Sequence, residues 1–140
     1  MPDFGRRRIR AVVADDSSDW PCVVAALLKM EDDVEIVARV ENGQEAIEAV
    51  TVLHPELAII DLRIGCLDAL TTTSLLLHQF PLLDVILMAD RDSPRLRASC
   101  QASGTKYFVQ KARFHEQFPP VLAQIRDCLE ASAVVGNDAK

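Results

Sequence analysis

The sequence predicts an α/β fold in which a five-stranded parallel sheet carries helices on both faces. Short apolar runs alternate five times with segments whose apolar residues recur at helical spacing. Most of the runs are continuously apolar, which is typical of parallel strands that are covered on both faces. The length of 140 residues corresponds to one domain.

The predicted strands are the apolar runs at residues 9–14, 34–40, 57–62, 84–88 and 107–109. Because crossovers between parallel strands are right-handed, few strand orders are open. We expect the domain to span residues 9–131. It would lie between a basic N-terminal tail over residues 1–8 and a C-terminal tail over residues 132–140.

Four predicted helices are bounded by capping residues, prolines or a glycine, and they cover residues 17–28, 46–53, 70–80 and 94–102. Ser93 and Pro94 have the pattern of an N-cap followed by proline at the first helical position. The apolar stripe of a fifth helix covers residues 121–129, and Pro119 and Pro120 leave two starts open. Either the helix begins at the prolines, after a separate turn over residues 114–118, or it begins earlier and bends.

Composition excludes several classes of protein. The formal net charge is −6 and the pI is about 5.0, so the general surface is unsuited to nucleic acid. The longest apolar run, residues 23–28, is far too short for a membrane span, and the N-terminus does not resemble a secretory signal. The four cysteines show no metal-site or disulfide spacing, which indicates reduced thiols in the cytoplasm.

Charged residues follow several of the predicted strands, at the sheet edge where ligands of such folds bind. Asp15 and Asp16 follow the first strand, Asp61 ends the third and Lys111 follows the fifth. Taken alone, an acid pair in such a place most often caps a helix, and a lysine there is usually on the surface. Asp61 is more informative, because an unpaired charge is costly in an otherwise apolar strand.

The chemistry of this group points to a divalent cation and a phosphoryl group. Three neighbouring carboxylates repel one another unless some are protonated or a cation lies among them. Ligands that are all oxygen suit Mg²⁺ or Mn²⁺, and a lysine suits a phosphoryl oxygen. Since the chain has no glycine-rich phosphate loop, the phosphoryl group is expected on a side chain, with Asp61 as the nucleophile. This hypothesis requires one shared pocket and an Asp61 that a donor can reach.

Three stretches resemble a known family in order and spacing: VVADD at residues 12–16, LAIIDLR at 57–63 and GTKYFVQK at 104–111. Over residues 9–129 the chain resembles the receiver domain of two-component response regulators, which has the CheY-like fold. Residues 27–50 are similar to the subclass whose output is a LuxR-type helix-turn-helix DNA-binding domain. Such an output domain is absent from this chain, and the residues present are not expected to contact DNA.

The resemblance implies a role for each residue of the site. Asp16 would bind Mg²⁺ directly, Asp15 would act largely through water, and Arg63 would offer its backbone carbonyl. Asp61 corresponds to the phosphoacceptor. Lys111 corresponds to the lysine that contacts the phosphoryl group.

The switch positions combine a match with several departures. Phe108 lies where the family has its switch aromatic residue. Ala89 stands where the family usually has a Thr or Ser hydroxyl, and Asp90 follows where a small residue is usual. Ala112 replaces a common proline, and residues 64–66 differ from the usual Met-Pro-Gly. A lost hydroxyl removes one charge-assisted hydrogen bond, worth about 1.5–3 kcal/mol.

The sequence therefore predicts a phosphoacceptor domain, not an enzyme beyond self-phosphorylation and self-dephosphorylation. A sensor histidine kinase would donate the phosphoryl group. The surface of the fourth helix, fifth strand and fifth helix would pass the signal to a partner or to a second copy in a homodimer. One alternative is a degenerate receiver that acts as a phosphorylation-independent interaction module. Another is an aspartyl phosphatase, which Arg63 disfavours because those enzymes commonly carry a second Asp at that position.

Overall fold

The computed structural model describes residues 8–16, 25 and 34–138, and it has one five-stranded parallel sheet. The strands, in chain order, are β1 (Ile9–Ala14), β2 (Val34–Val40), β3 (Leu57–Asp61), β4 (Asp84–Ala89) and β5 (Tyr107–Gln110). Their order across the sheet is β2-β1-β3-β4-β5, with every neighbouring pair parallel. The predicted fold class is confirmed.

Four helices are described: α1 (Gly43–Leu53), α2 (Cys66–Gln79), α3 (Pro94–Ala102) and α4 (Phe114–Asp138). Short 3₁₀ turns cover Leu62–Ile64 and Lys111–Arg113. Apart from residue 25, which is helical, the helix predicted over residues 17–28 lies outside the described residues. In the numbering used here, α3 and α4 are therefore the fourth and fifth helices of the prediction. Within the described part of the chain, no helix has both the length and the apolar character to cross a lipid bilayer.

The boundaries of α1 and α3 follow from local chemistry. The Asn42 carboxamide caps α1 by accepting a hydrogen bond from the Glu45 N–H at 2.9 Å. At its other end, His54 takes the left-handed conformation with φ 49°. The Ser93 hydroxyl accepts from the Leu96 N–H at 3.1 Å, with Pro94 at the first position of α3. The start predicted for α3 is therefore confirmed.

Three helices begin earlier than the apolar pattern indicates, and the first of them is α1, which starts at Gly43 rather than at residue 46. α2 starts at Cys66, directly after Gly65, whose φ of +109° favours glycine. α4 starts at Phe114 and continues through Pro119 and Pro120, so the earlier of the two open starts is right. Phe114 and Phe118 are buried and stack at 4.7 Å between ring centroids. We infer that this burial offsets the backbone hydrogen bonds that the prolines remove. The helix continues to Asp138, beyond the start of the expected tail.

Each face of the sheet has its own hydrophobic core. One face packs against α4, whose core residues recur at helical spacing: Phe114, Phe118, Leu122 and Ile125. The other face packs against α1, α2 and α3, which contribute Ala46, Val50, Ala69, Leu76 and Cys100. Strands β3 and β4 supply residues to both cores, and all of their core residues are buried. This explains why these strands are continuously apolar in sequence.

We expect Gly43→Ala to lower the free energy of unfolding by about 1–3 kcal/mol, because of overpacking. Gly43 is buried at the start of α1, and a methyl group there would overlap the hydroxyl of Thr72 on α2. Alanine is intrinsically a better helix former than glycine, and that effect alone would raise the free energy of unfolding. The sign of the measured change therefore shows whether overpacking or helix propensity dominates. Urea denaturation measures the change, and the double variant with Thr72→Ala is the control that should recover most of the loss. A single variant more stable than the wild type would contradict this packing.

Candidate functional site

The ends of three strands form one pocket at the carboxyl edge of the sheet. Asp15 follows β1, Asp61 is the last residue of β3, and Lys111 follows β5. Strand β4 lies between β3 and β5, so the lysine side chain crosses the end of β4, where the residue is Ala89. Parallel strands therefore bring together three residues that are up to 96 positions apart in the chain.

The central contact of the pocket is an ion pair between the Lys111 Nζ and the Asp61 Oδ2. The same Nζ lies 3.7 Å from the Asp15 Oδ2. The Lys111 side chain is 7% exposed, and those of Asp15 and Asp61 are 0% exposed. The second oxygen of Asp61, Oδ1, accepts a hydrogen bond from the Arg63 N–H at 2.9 Å. Both carboxylate oxygens of Asp61 are therefore engaged.

Access to Asp61 differs from what the phosphoacceptor hypothesis requires. Its side chain has no exposed surface, and its outer oxygen is held by Lys111. A donor could not reach the carboxylate without displacing the ammonium. The arrangement gathers the charged groups as the sequence predicts, but with Asp61 covered rather than open.

Burial lowers the pKa of the Lys111 ammonium, while the negative charges of Asp15 and Asp16 and a hydrogen bond to Asp15 raise it. Asp16 is itself exposed at the mouth of the pocket. The electrostatic effect places Asp16 close enough to act on the lysine. All three acidic residues that the sequence singles out therefore lie near Lys111.

The remaining predicted residues lie around this pocket. Arg63 is exposed in the 3₁₀ turn after β3. Ala89 is 5% exposed and offers no hydroxyl. Asp90 is exposed, and its backbone carbonyl accepts a hydrogen bond from the Gln110 Nε2 at 3.3 Å. Phe108 is half-buried in β5 and packs against the core formed with α1, α2 and α3.

One contact near the site was not anticipated from the sequence. The guanidinium of Arg97 on α3 lies over the Phe108 ring, with its Cζ 5.1 Å from the ring centroid. The Asp92 carboxylate binds the same guanidinium through two hydrogen bonds. The spacing of five residues between Asp92 and Arg97 is not a helical pair spacing, so sequence periodicity gives no signal for it.

The donor atoms determine which metal ion the pocket suits. In the described part of the chain, no three His, Cys, Asp or Glu side chains form a ready metal-binding group. Three nearby carboxylates against one ammonium leave two formal negative charges uncompensated when all are ionised. Oxygen donors with this charge fit Mg²⁺, which commonly takes one or two carboxylates and retains water, better than a metal held by an all-protein cage. Such a cation would compete with Lys111 for Asp61.

A cavity of about 600 Å³ lies at the opposite edge of the sheet, beside the starts of β3 and β4. Its walls are largely apolar, with Val50, Phe80, Leu83 and Leu129 among them. It contains none of the charged residues that the sequence singles out. The predicted site residues therefore lie at the carboxyl edge, away from this cavity.

Curated relatives cover most of this chain, but the chain covers only part of each. Protein-glutamate methylesterase/protein-glutamine glutaminase 1 of Methanosarcina mazei is 25% identical over 129 residues, which is 91% of this chain and 36% of the relative. The transcriptional regulatory protein LnrK of Bacillus subtilis is 24% identical over 103 residues, which is 74% of this chain and 47% of LnrK. The chain therefore spans less than half the length of these relatives.

Solved structures show the same fold. The signal receiver domain of the putative response regulator NarL from Mycobacterium tuberculosis matches with a TM-score of 0.76 at 22% identity, over 86% of this chain and 98% of that one. The response regulator domain of Thermotoga maritima CheB matches with a TM-score of 0.74 at 23% identity, over 86% and 96%. This chain and these two receiver domains therefore share one topology.

The family model described as the response regulator receiver domain matches residues 11–119. That range is most of the chain, and it includes Asp15, Asp61 and Lys111. Together with the sheet order and the carboxyl-edge pocket, this match assigns the family: the chain belongs to the response regulator receiver domains.

Proposed function

We propose that the chain accepts a phosphoryl group on Asp61, from a phosphohistidine of a sensor histidine kinase, in a reaction that depends on Mg²⁺ or Mn²⁺. The observation that carries the proposal is the buried contact of Lys111 with Asp61 beside Asp15 at the carboxyl edge. A lysine held between two carboxylates is positioned to exchange one of them for a phosphoryl oxygen.

Transfer begins with the displacement of the Lys111 ammonium from the Asp61 Oδ2. That oxygen forms a bond to phosphorus while the P–N bond of the donor breaks. The electron pair of that bond stays on the imidazole nitrogen, which takes a proton. The ammonium then pairs with an oxygen of the transferred group, so its charge remains in the pocket and stabilises the acyl phosphate.

Asp15, Asp16, Asp61 and the backbone carbonyl of Arg63 are the groups that would hold the divalent cation. When bound, such a cation neutralises negative charge on the phosphoryl oxygens and lowers the repulsion between the entering group and the carboxylates. This role agrees with the charge imbalance of the pocket and with its oxygen donors.

The signal would leave through the surface of α3, β5 and α4, toward a partner domain or a second copy of the chain. From residues 27–50 we infer a LuxR-type DNA-binding output, which would make this a regulator of transcription in the cytoplasm. Because the relatives include a methylesterase as well as a transcriptional regulator, a methylesterase is the competing output.

A degenerate receiver remains the second candidate function. Two observations favour it: the Asp61 side chain has no exposed surface, and Ala89 offers no hydroxyl to a phosphoryl group. In that case the fold would serve as an interaction module whose surface does not respond to phosphorylation.

Intact-mass spectrometry separates the two functions. After incubation with Mg²⁺ and a small phosphodonor, we expect the wild type to gain one phosphoryl group and Asp61→Ala to gain none. Removal of the metal with EDTA is expected to abolish the gain. Asp68→Ala, at an exposed acid in the first turn of α2, is the matched control and should be labelled like the wild type. An unlabelled wild type would favour the degenerate receiver, whereas a labelled Asp61→Ala would contradict the assignment of Asp61 as the phosphoacceptor.

A further inference from the structure

The Phe108 ring is in contact with a cation. Arg97 on α3 places its Cζ 5.1 Å from the ring centroid, within the range of a cation–π interaction. The Arg97 side chain is 48% exposed, so the contact lies at the surface of the α3–β5–α4 face. Phe108 itself has no hydroxyl, and this guanidinium is a polar group that contacts its ring.

Asp92 fixes the position of the guanidinium. Its two carboxylate oxygens accept from the Arg97 Nε at 2.6 Å and from the Nη2 at 2.8 Å. This two-point geometry sets the plane of the guanidinium as well as its distance. The hydrogen bond from Arg97 holds the pKa of the Asp92 carboxyl below its usual range, and it raises the pKa of Arg97.

Asp92 lies in a loop that begins at the candidate site. The loop over residues 90–93 follows Ala89, the last residue of β4, and Ala89 pairs with Gln110 on β5. The Gln110 side chain donates to the Asp90 carbonyl at 3.3 Å, and Lys111 is the next residue. Gln110 therefore links the strand end that carries Lys111 to the loop that carries Asp92.

Phe108 also borders a cavity. This cavity, of about 130 Å³, lies between α3, β5 and α4, with Arg97, Cys100, Phe108 and Val121 among its lining residues. The ring is half-buried rather than enclosed by the core. Its surroundings therefore include free space on the α3–β5–α4 side.

We propose that Asp92 and Arg97 form a latch that positions the Phe108 ring and couples the candidate site to the α3–β5–α4 surface. Arg97 is a positioning residue, since it acts on the ring and touches no reacting group. The coupling to phosphorylation rests on the proposed function, whereas the positioning of the ring in the unmodified protein does not.

Nuclear magnetic resonance of ¹³C-phenylalanine tests both parts on the full chain. The chain has five phenylalanines, and loss of a signal in Phe108→Leu assigns its ring. In the unmodified protein, Arg97→Gln and Asp92→Asn are expected to shift the Phe108 ring signal more than the other ring signals. Arg95→Gln, which removes an exposed arginine from the same helix, is the matched control and should leave the signal in place. An unmoved Phe108 signal in Arg97→Gln overturns the latch.

The second part adds Mg²⁺ and beryllofluoride, a phosphoryl mimic. We expect the Phe108 signal to move in the wild type and in Arg95→Gln, and to move less in Asp92→Asn and Arg97→Gln. In a separate incubation with Mg²⁺ and a phosphodonor, all four should still gain a phosphoryl group by intact mass. Equal movement in all four overturns the coupling. If the wild type responds to neither beryllofluoride nor a phosphodonor, the proposed function and the coupling fail together. The positioning of the ring is still tested in that case, by the shift of the Phe108 signal in the unmodified variants.

Discussion

Lys111→Met is expected to lower the free energy of unfolding by about 3–5 kcal/mol at neutral pH, because it leaves buried carboxylates without their cation. The Nζ of Lys111 contacts Asp61 and lies 3.7 Å from Asp15, and both carboxylate side chains are 0% exposed. Lowering the pH should recover part of the loss, since protonation removes the stranded charges. Urea denaturation across a pH series measures both effects.

Two further variants isolate the ion pair. Asp61→Asn combined with Lys111→Met should be more stable than Lys111→Met alone, because it removes one of the stranded charges. Lys106→Met, at an exposed lysine just before β5, should change stability by no more than about 0.5 kcal/mol. If Lys111→Met were as stable as Lys106→Met, the pocket would not depend on its central contact.

Ala89→Thr is expected to tighten the binding of beryllofluoride in Mg²⁺ by about 10- to 100-fold over Ala89→Val. A hydrogen bond to a charged group is worth about 1.5–3 kcal/mol, and each 1.4 kcal/mol corresponds to a factor of ten. Threonine and valine add nearly the same volume at this buried position. The ratio of the two variants' dissociation constants therefore separates the effect of the hydroxyl from that of overpacking. Isothermal titration calorimetry gives the two dissociation constants.

The wild type provides the reference for this pair. Because Ala89 lacks the hydroxyl, the affinity of the wild type for beryllofluoride should lie nearer to that of Ala89→Val than to that of Ala89→Thr, apart from the cost of the added volume. Equal affinities for the threonine and valine variants would mean that residue 89 does not face the phosphoryl position. That result would remove Ala89 from the explanation of how this receiver differs from others.

The strands and their ends could be predicted because the physics that sets them is local. Continuous apolar runs mark buried parallel strands, and Ser93 with Pro94 marks the start of α3. Topology then brings Asp15, Asp61 and Lys111 to one edge without any knowledge of side-chain packing. The start of α2 was less predictable, since residues 66–69 carry little apolar periodicity and the boundary depends on the positive φ of Gly65.

The features that the sequence does not reveal depend on packing between distant elements. The burial of Asp61 under Lys111 depends on how the lysine crosses the end of β4. The contact of Arg97 with Phe108 depends on how α3 lies against β5. Arg10 is a further case: its guanidinium donates to the Leu53 carbonyl at 2.7 Å and satisfies the end of α1, although it is close in sequence to the basic tail.

The most direct test of the proposed function identifies the residue that carries the phosphoryl group. Borohydride reduces an aspartyl phosphate to homoserine, and peptide mass spectrometry then locates the converted residue. After treatment with Mg²⁺ and a phosphodonor, we expect homoserine at position 61 and at no other acidic residue. Conversion at Asp16 or Asp90 instead, or at no residue in a protein shown to be folded, would contradict the assignment of Asp61 as the phosphoacceptor.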